Sequence, residues 1–268
     1  MRIALAQIDI KWEDKDFNLR KCESFIKEAK EKKANLIIFP EMTLTGFSMN
    51  PSNINESYIN SKYIEALKIL ALKNSIYIGF GMAISNNKDF FNDFIVINNE
   101  GTIIGTYSKI HPFSYSKEHL AYRSGDNLLT LKIKEFTLSP FICYDLRFPE
   151  IFQVASRHAN LITISANWPK SRISHWKALL VARAIENQCY IAGINRVGQG
   201  DNLLYNGASM IVSPSGEILC YEEDKEVLLI HDLVLSEVEN LRSSFPLKND
   251  RRETLYINLL KINSFNLK

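Results

Sequence analysis

Apolar residues in this chain follow two rhythms. Short unbroken runs at residues 3–10, 36–39, 76–83, 94–97 and 103–107 read as strands, the continuous ones buried on both faces. After the first run, Leu19, Cys22, Phe25 with Ile26, and Ala29 recur at the spacing of one buried helix face, and Asn35 ends that helix. The run at 36–39 stops at Pro40-Glu41. A polar loop over 51–60 precedes a second helical stripe of Tyr63, Ile64, Leu67, Leu70 and Ala71. Asn98-Asn99-Glu100-Gly101, between the last two runs, is a hairpin turn signal.

The second half repeats this order. A helix over 149–158 ends in Ala159-Asn160-Leu161-Ile162, as the first ends in Ala34-Asn35-Leu36-Ile37. A helix over 175–188 leads into Tyr190-Ile191-Ala192-Gly193, as the earlier one leads into Tyr77-Ile78-Gly79. Residues 210–219, with Pro214-Ser215-Gly216 at their centre, echo the hairpin around Gly101. Three echoes in one order predict an α/β unit, β-α-β-α-β-β, used twice. Two sheets packed face to face with helices outside follow from it, in one domain over 1–268 whose tail, 233–268, drapes over the body. Chemistry is then expected at the carboxyl ends of the strands.

The helix over 175–188 is apolar nearly all round, from Trp176 through Leu179, Leu180 and Val181 to Ile185. Such a helix is covered on both faces, so a homodimer or higher homo-oligomer is predicted; the alternative cover is the tail after Leu233.

Composition narrows the function more than the fold. With 46% hydrophobic and 23% charged residues, the chain can bury a large core. A formal net charge of +2 is too small to point to nucleic acid or a membrane surface. No apolar run reaches bilayer length, and the first ten residues turn polar too soon for an export signal, so a cytoplasmic location is expected. The four cysteines, Cys22, Cys143, Cys189 and Cys220, lie far apart with no CxxC pair and no grouping with the histidines. That argues against a disulfide framework or a zinc site, and no metal is expected.

Three reactive side chains stand where apolar runs stop: Glu41, Lys109 and Cys143. Cys143 ends the run 136–142, and Pro149 suits the first turn of the helix that follows. A thiol at such an elbow faces free N–H groups, which lower its pKa and can cradle an oxyanion; it reads equally well as a small buried hydrophobe. Glu41, held against Pro40 and Phe47, could serve as base with a raised pKa, and Lys109 could stabilise an oxyanion. Taken singly, each also reads as an ordinary surface or capping residue. Together they suit acyl transfer through a thioester.

The motifs FPEMTLTGF (39–47), YSKIHPF (107–113) and FICYDLRFPE (141–150) resemble the nitrilase superfamily of carbon–nitrogen hydrolases. KEHLAYRSGD (117–126), ANWPKSRISHW (166–176) and ARAIENQCYIAGINRVG (182–198) look most like its omega-amidase branch, which hydrolyses 2-oxoglutaramate. The resemblance implies a four-layer αββα sandwich that dimerises through helices after the cysteine. It also implies Glu41 as general base, Lys109 as oxyanion cation, Cys143 as nucleophile, Glu118 as a second glutamate orienting the lysine, and the Tyr144 N–H as the other oxyanion donor. No organic cofactor is implied.

The repeat places Asn167 and Trp168 opposite Glu41, facing the pocket. A 2-oxo dicarboxylic monoamide needs a cation for its far carboxylate, for which Arg172 is the candidate and His175 the weaker one. His111 is read as structural, because Glu41 fills the base role. Competing readings are an amidase for deaminated glutathione or an N-carbamoyl compound, and an inactive scaffold that kept the fold. A true nitrilase is disfavoured, since Cys143 is followed by Tyr144-Asp145 and not by Trp-Glu.

Overall fold

The computed structural model describes residues 1–261. The first half runs β1 (Arg2–Gln7), α1 (Lys15–Glu31), β2 (Leu36–Ile38), α2 (Pro51–Ile54), α3 (Lys62–Asn74), β3 (Tyr77–Asn86), β4 (Asp89–Ile97) and β5 (Ile103–Ser108). After α4 (Glu118–Ala121) and β6 (Leu131–Ile133), the second half runs β7 (Phe136–Ile142), α5 (Pro149–Ala155), β8 (Leu161–Ala166), α6 (Ile173–Asn187) and β9 (Tyr190–Asn195). It continues with β10 (Val197–Gly200), β11 (Leu203–Val212), β12 (Ile218–Glu223), β13 (Val227–Asp232), α7 (Leu235–Ser244) and α8 (Glu253–Leu260).

One sheet has the order β13-β1-β2-β3-β4-β5, the other β10-β11-β9-β8-β7-β6 with β12 on β11. In each, three parallel strands (β1, β2, β3 and β7, β8, β9) are followed by an antiparallel hairpin, as the sequence echo predicts. The echo extends to single bonds. Asn35 closes the turn between α1 and β2 by accepting from Arg2 N at 2.9 Å; Asn160 does the same for Thr137 N at 2.9 Å. Both third-strand approaches begin with a left-handed residue after the helix, Ser75 at φ 49° and Gln188 at φ 48°. An asparagine is needed because its short amide satisfies a strand-end N–H that no neighbouring strand reaches.

Strand alternation sorts the core. Ile3, Leu5, Leu36, Ile38, Phe94 and Val96 face the second sheet, while Ala4, Ala6, Ile37, Ile95 and Ile97 face α1 and α3. Helices α5 and α6 cover the other sheet through Phe152, Trp176, Leu180 and Ala184. The result is the αββα sandwich. Polar bonds pin the sheets to each other: Ser165 Oγ donates to Phe39 O at 2.9 Å, and Ser209 N to Gln7 Oε1 at 3.0 Å.

Among the described residues, the tail crosses the end of α6. Arg242 on α7 donates to Ala159 O at 2.8 Å and to Gln188 O at 2.9 Å. Ala178 and Ile185 on α6 remain exposed in the protomer. Residues 262–268, the end of the expected tail, lie outside the described residues. Among the described residues no helix is long and apolar enough to cross a membrane.

Candidate active site

Glu41 follows β2 and is fully buried. Its backbone is shaped by the next residues: Met42 is left-handed at φ 44°, and Thr43 bonds Pro40 O through its hydroxyl at 2.6 Å and Gly81 O through its N–H at 2.9 Å. The absent side chain of Gly81 makes room, since a Cβ there would sit 2.5 Å from Met42 N and 2.8 Å from Glu41 Cα.

Lys109 follows β5, which runs parallel to β3, so its side chain arrives from the same end of the sheet. Its ammonium donates to Glu41 Oε1 at 2.8 Å and to Glu118 Oε2 and Oε1 at 2.9 and 3.1 Å. All three side chains are 0–1% exposed. Burial alone would depress the ammonium's pKa, but Glu118 and Glu41 outweigh it and hold Lys109 above its ordinary value and charged. Glu118 is pushed up by burial; Lys109 pulls it down and Glu41 pushes it up again. The expectation of an apolar setting for Glu41 is therefore corrected: its partners are an ammonium and amides, and Phe47 lies instead against Lys109, 5.1 Å from the ring centre.

Cys143 ends β7 and opens a 3₁₀ turn, Cys143–Arg147, in the left-handed conformation at φ 44°. A non-glycine residue there is strained and must be held by its surroundings. Asp145 holds it: Oδ2 accepts from Ile142 N at 3.1 Å and from the Tyr107 hydroxyl at 2.8 Å. Its Oδ1 accepts from His111 N at 3.0 Å and meets His111 Nδ1 at 2.8 Å. The elbow is thus tied to the strand end that carries Lys109, and His111, stacked 3.8 Å from Phe148, belongs to that tie.

The elbow does not lower the thiol's pKa as the sequence suggested. Burial pushes Cys143 well above the ordinary thiol value, Glu41 pushes it further, and Lys109 only partly counters them. A short 3₁₀ turn has little dipole to set against desolvation and a carboxylate. Burial and the neighbouring carboxylate thus favour the protonated thiol, and a base is called for.

Above this cluster opens a cavity of about 210 Å³. Phe47, Cys143, Tyr144, Asn167, Trp168 and Arg172 line it, whereas His175 does not. Asn167 also supports Glu41, its N–H donating to Oε2 at 2.9 Å and its Nδ2 to Glu41 O at 2.6 Å. Trp168 Nε1 donates to Arg172 O at 2.8 Å.

Two residues escaped the sequence reading. Arg147 lines the cavity with its guanidinium 4.7 Å from the Trp168 ring centre, as Arg172 lies 5.4 Å from that of Phe113. Asn92 on β4 is buried and donates to Glu41 Oε1 at 2.8 Å and Glu118 Oε1 at 2.9 Å. Its signal was Asn92-Asp93, two polar residues in succession inside an apolar strand. Among the described residues no group of three or more His, Cys, Asp or Glu side chains could hold a metal ion.

An αββα sandwich with a thiol elbow over a buried acid–ammonium–acid cluster defines a class, the thiol hydrolases of carbon–nitrogen bonds. The chain belongs to the carbon–nitrogen hydrolase family, whose model matches residues 2–243. It is 35% identical over 256 residues to a 2-oxoglutaramate amidase of Bacillus subtilis, covering 95% of this chain and 98% of that one. With omega-amidase YafV of Escherichia coli K12 it shares 33% over 258 residues, 94% and 97% of the two chains. A CN-hydrolase superfamily crystal structure from Xanthomonas campestris, with an arsenic adduct in its active site, superposes with a TM-score of 0.87 at 27% identity, covering 100% and 99%. The protein is an omega-amidase-like amidase of the nitrilase superfamily.

Proposed function

We propose that the protein hydrolyses the terminal amide of a small 2-oxo dicarboxylic acid, such as 2-oxoglutaramate or 2-oxosuccinamate, to the acid and ammonia. One observation carries this reading: two arginines line the cavity that Cys143 opens into, above an ammonium paired with two carboxylates. Glu41 takes the thiol proton as Cys143 sulfur bonds to the amide carbon. Lys109 and the N–H of Tyr144, second in the 3₁₀ turn and without a partner inside it, hold the tetrahedral oxyanion. Glu41 passes the proton to the departing nitrogen, the C–N bond breaks and ammonia leaves a thioester. Glu41 then draws a proton from water, whose oxygen attacks the thioester carbon; the proton returns to sulfur as the acid departs. Glu118 holds Lys109 in place throughout.

Arg147 and Arg172 pair with the far carboxylate, and Phe47 and Trp168 pack its methylene chain. Both guanidiniums are held by aromatic faces, which fixes their direction; Arg147 Nη2 also meets His175 Nδ1 at 3.3 Å, and its other N–H groups are available to a ligand. Cys143→Ala is expected to abolish ammonia release from 2-oxoglutaramate while the circular dichroism spectrum and Tm stay those of the wild type. Arg147→Gln should raise KM by about 10- to 100-fold, the worth of a charged hydrogen bond. Preferential turnover of deaminated glutathione or an N-carbamoyl compound would replace the substrate class and keep the mechanism.

The open apolar face of α6 suits a second copy of this chain, so the working form is a homodimer or larger. Ile185→Glu should yield monomers in sedimentation velocity. Four free cysteines suit a reducing, cytoplasmic setting.

A further inference from the structure

We propose that Asn92 is a positioning residue for this reaction, holding Glu41 and Glu118 as two ionised carboxylates and turning Glu41 toward the thiol. The inference rests on the amide-hydrolysis reading above. The two hydrogens on Asn92 Nδ2 go one to each acid, at 2.8 and 2.9 Å. Both reach Oε1, the oxygen that Lys109 also contacts in each acid. Glu41 Oε2 is thereby left on the side of the Asn167 N–H, which also borders the Cys143 sulfur. The backbone helps as well, since Lys109 N donates to Asn92 O at 2.9 Å.

The arrangement has a cost. Asn92 Oδ1 is buried with no partner, because the amide can offer its NH₂ to the acids only by turning its oxygen away. An apolar residue of similar size would avoid that penalty, so the amide is retained for its donors.

Two carboxylates around one ammonium carry net negative charge in a buried site, and such a pair tends to share a proton. Hydrogen bonds donated to the charged form oppose this. The ionisable groups around the amide are Glu41 after β2, Lys109 after β5, Glu118 on α4 and Cys143 at the elbow. Tyr122, after α4, points its hydroxyl away to Ser48 O at 2.8 Å. Asp93 lies on the opposite face of β4, bonded by Tyr58.

The test compares wild type, Asn92→Asp and Asn92→Leu from pH 5 to 10. Ammonia release is read as kcat and KM, and iodoacetamide alkylation of Cys143 is followed by peptide mass. Asn92→Asp adds a third carboxylate without changing shape. It should lower kcat at pH 7 by about 100-fold or more, leave KM within about threefold, and move the acid limb of kcat and the alkylation profile up by more than one pH unit. Asn92→Leu, uncharged, should shift both the same way by less, and it keeps the test open if the charged variant does not fold. Wild-type pH profiles in either folded variant, or a loss confined to KM, would overturn the role. If the wild type releases no ammonia from 2-oxoglutaramate, the substrate class fails instead, while the alkylation profiles still report on Asn92.

Discussion

Lys109 sits at 1% exposure, and Glu41, Glu118 and the ring of Phe47 compensate its buried charge. Removing one member of such a group strands the others. Lys109→Met should therefore destabilise the fold by about 3–5 kcal/mol in urea unfolding, and adding Glu41→Gln and Glu118→Gln should recover part of the loss. At this scale the sequence was informative where chemistry and position coincide. Glu41, Lys109 and Cys143 are reactive types at the ends of apolar runs, so their convergence could be anticipated. Asn92 and Arg147 could not. Asn92 lies within a strand, where only pairing register decides which acids it meets, and Arg147 is aimed by its packing on Trp168.

Among elements, the loops after strands carry the site, and glycines decide how closely they approach. Gly81 and Gly105 make a matched pair for testing this. A Cβ at Gly81 meets the Glu41–Met42 backbone, whereas one at Gly105 meets only the flexible ends of Leu129 and Leu131, at 2.9 Å. Gly81→Ala should cost about 1–3 kcal/mol and lower kcat more than 10-fold by displacing Glu41; Gly105→Ala should keep kcat within about twofold. Denaturant midpoints and steady-state kinetics on the two variants separate the effects. The same scale explains the misjudged thiol. The elbow's position was legible from the break at Cys143, but not that burial and Glu41 would outweigh a single 3₁₀ turn, because neither neighbour is local in sequence.

Across the whole molecule, the core buries thiols as well as hydrocarbon. Cys22 and Cys189 are fully buried, and burial raises both, Cys189 to about 12. An unfolded thiol ionises near pH 8.5, so above that pH the unfolded chain releases protons that the folded one retains. Stability then falls as pH rises, by about 2 kcal/mol for each of the two between pH 8.5 and 10. Urea midpoints across this range should show the decline, and a Cys22→Ala, Cys189→Ala variant should flatten it relative to its own value at pH 7.

What the sequence determined by itself was periodic. Alternation, helical stripes and a twofold echo specify the elements, their order and the two-sheet body, because burial is read off positions a few residues apart. What only the tertiary structure decided was electrostatic and directional: which acid meets which cation, which carboxylate oxygen meets which donor, and which way burial and charge bias the thiol. Those outcomes depend on distances of a few ångströms between residues as far apart as Glu41 and Asn167, and on a low-dielectric interior that exists only once the sheets have closed.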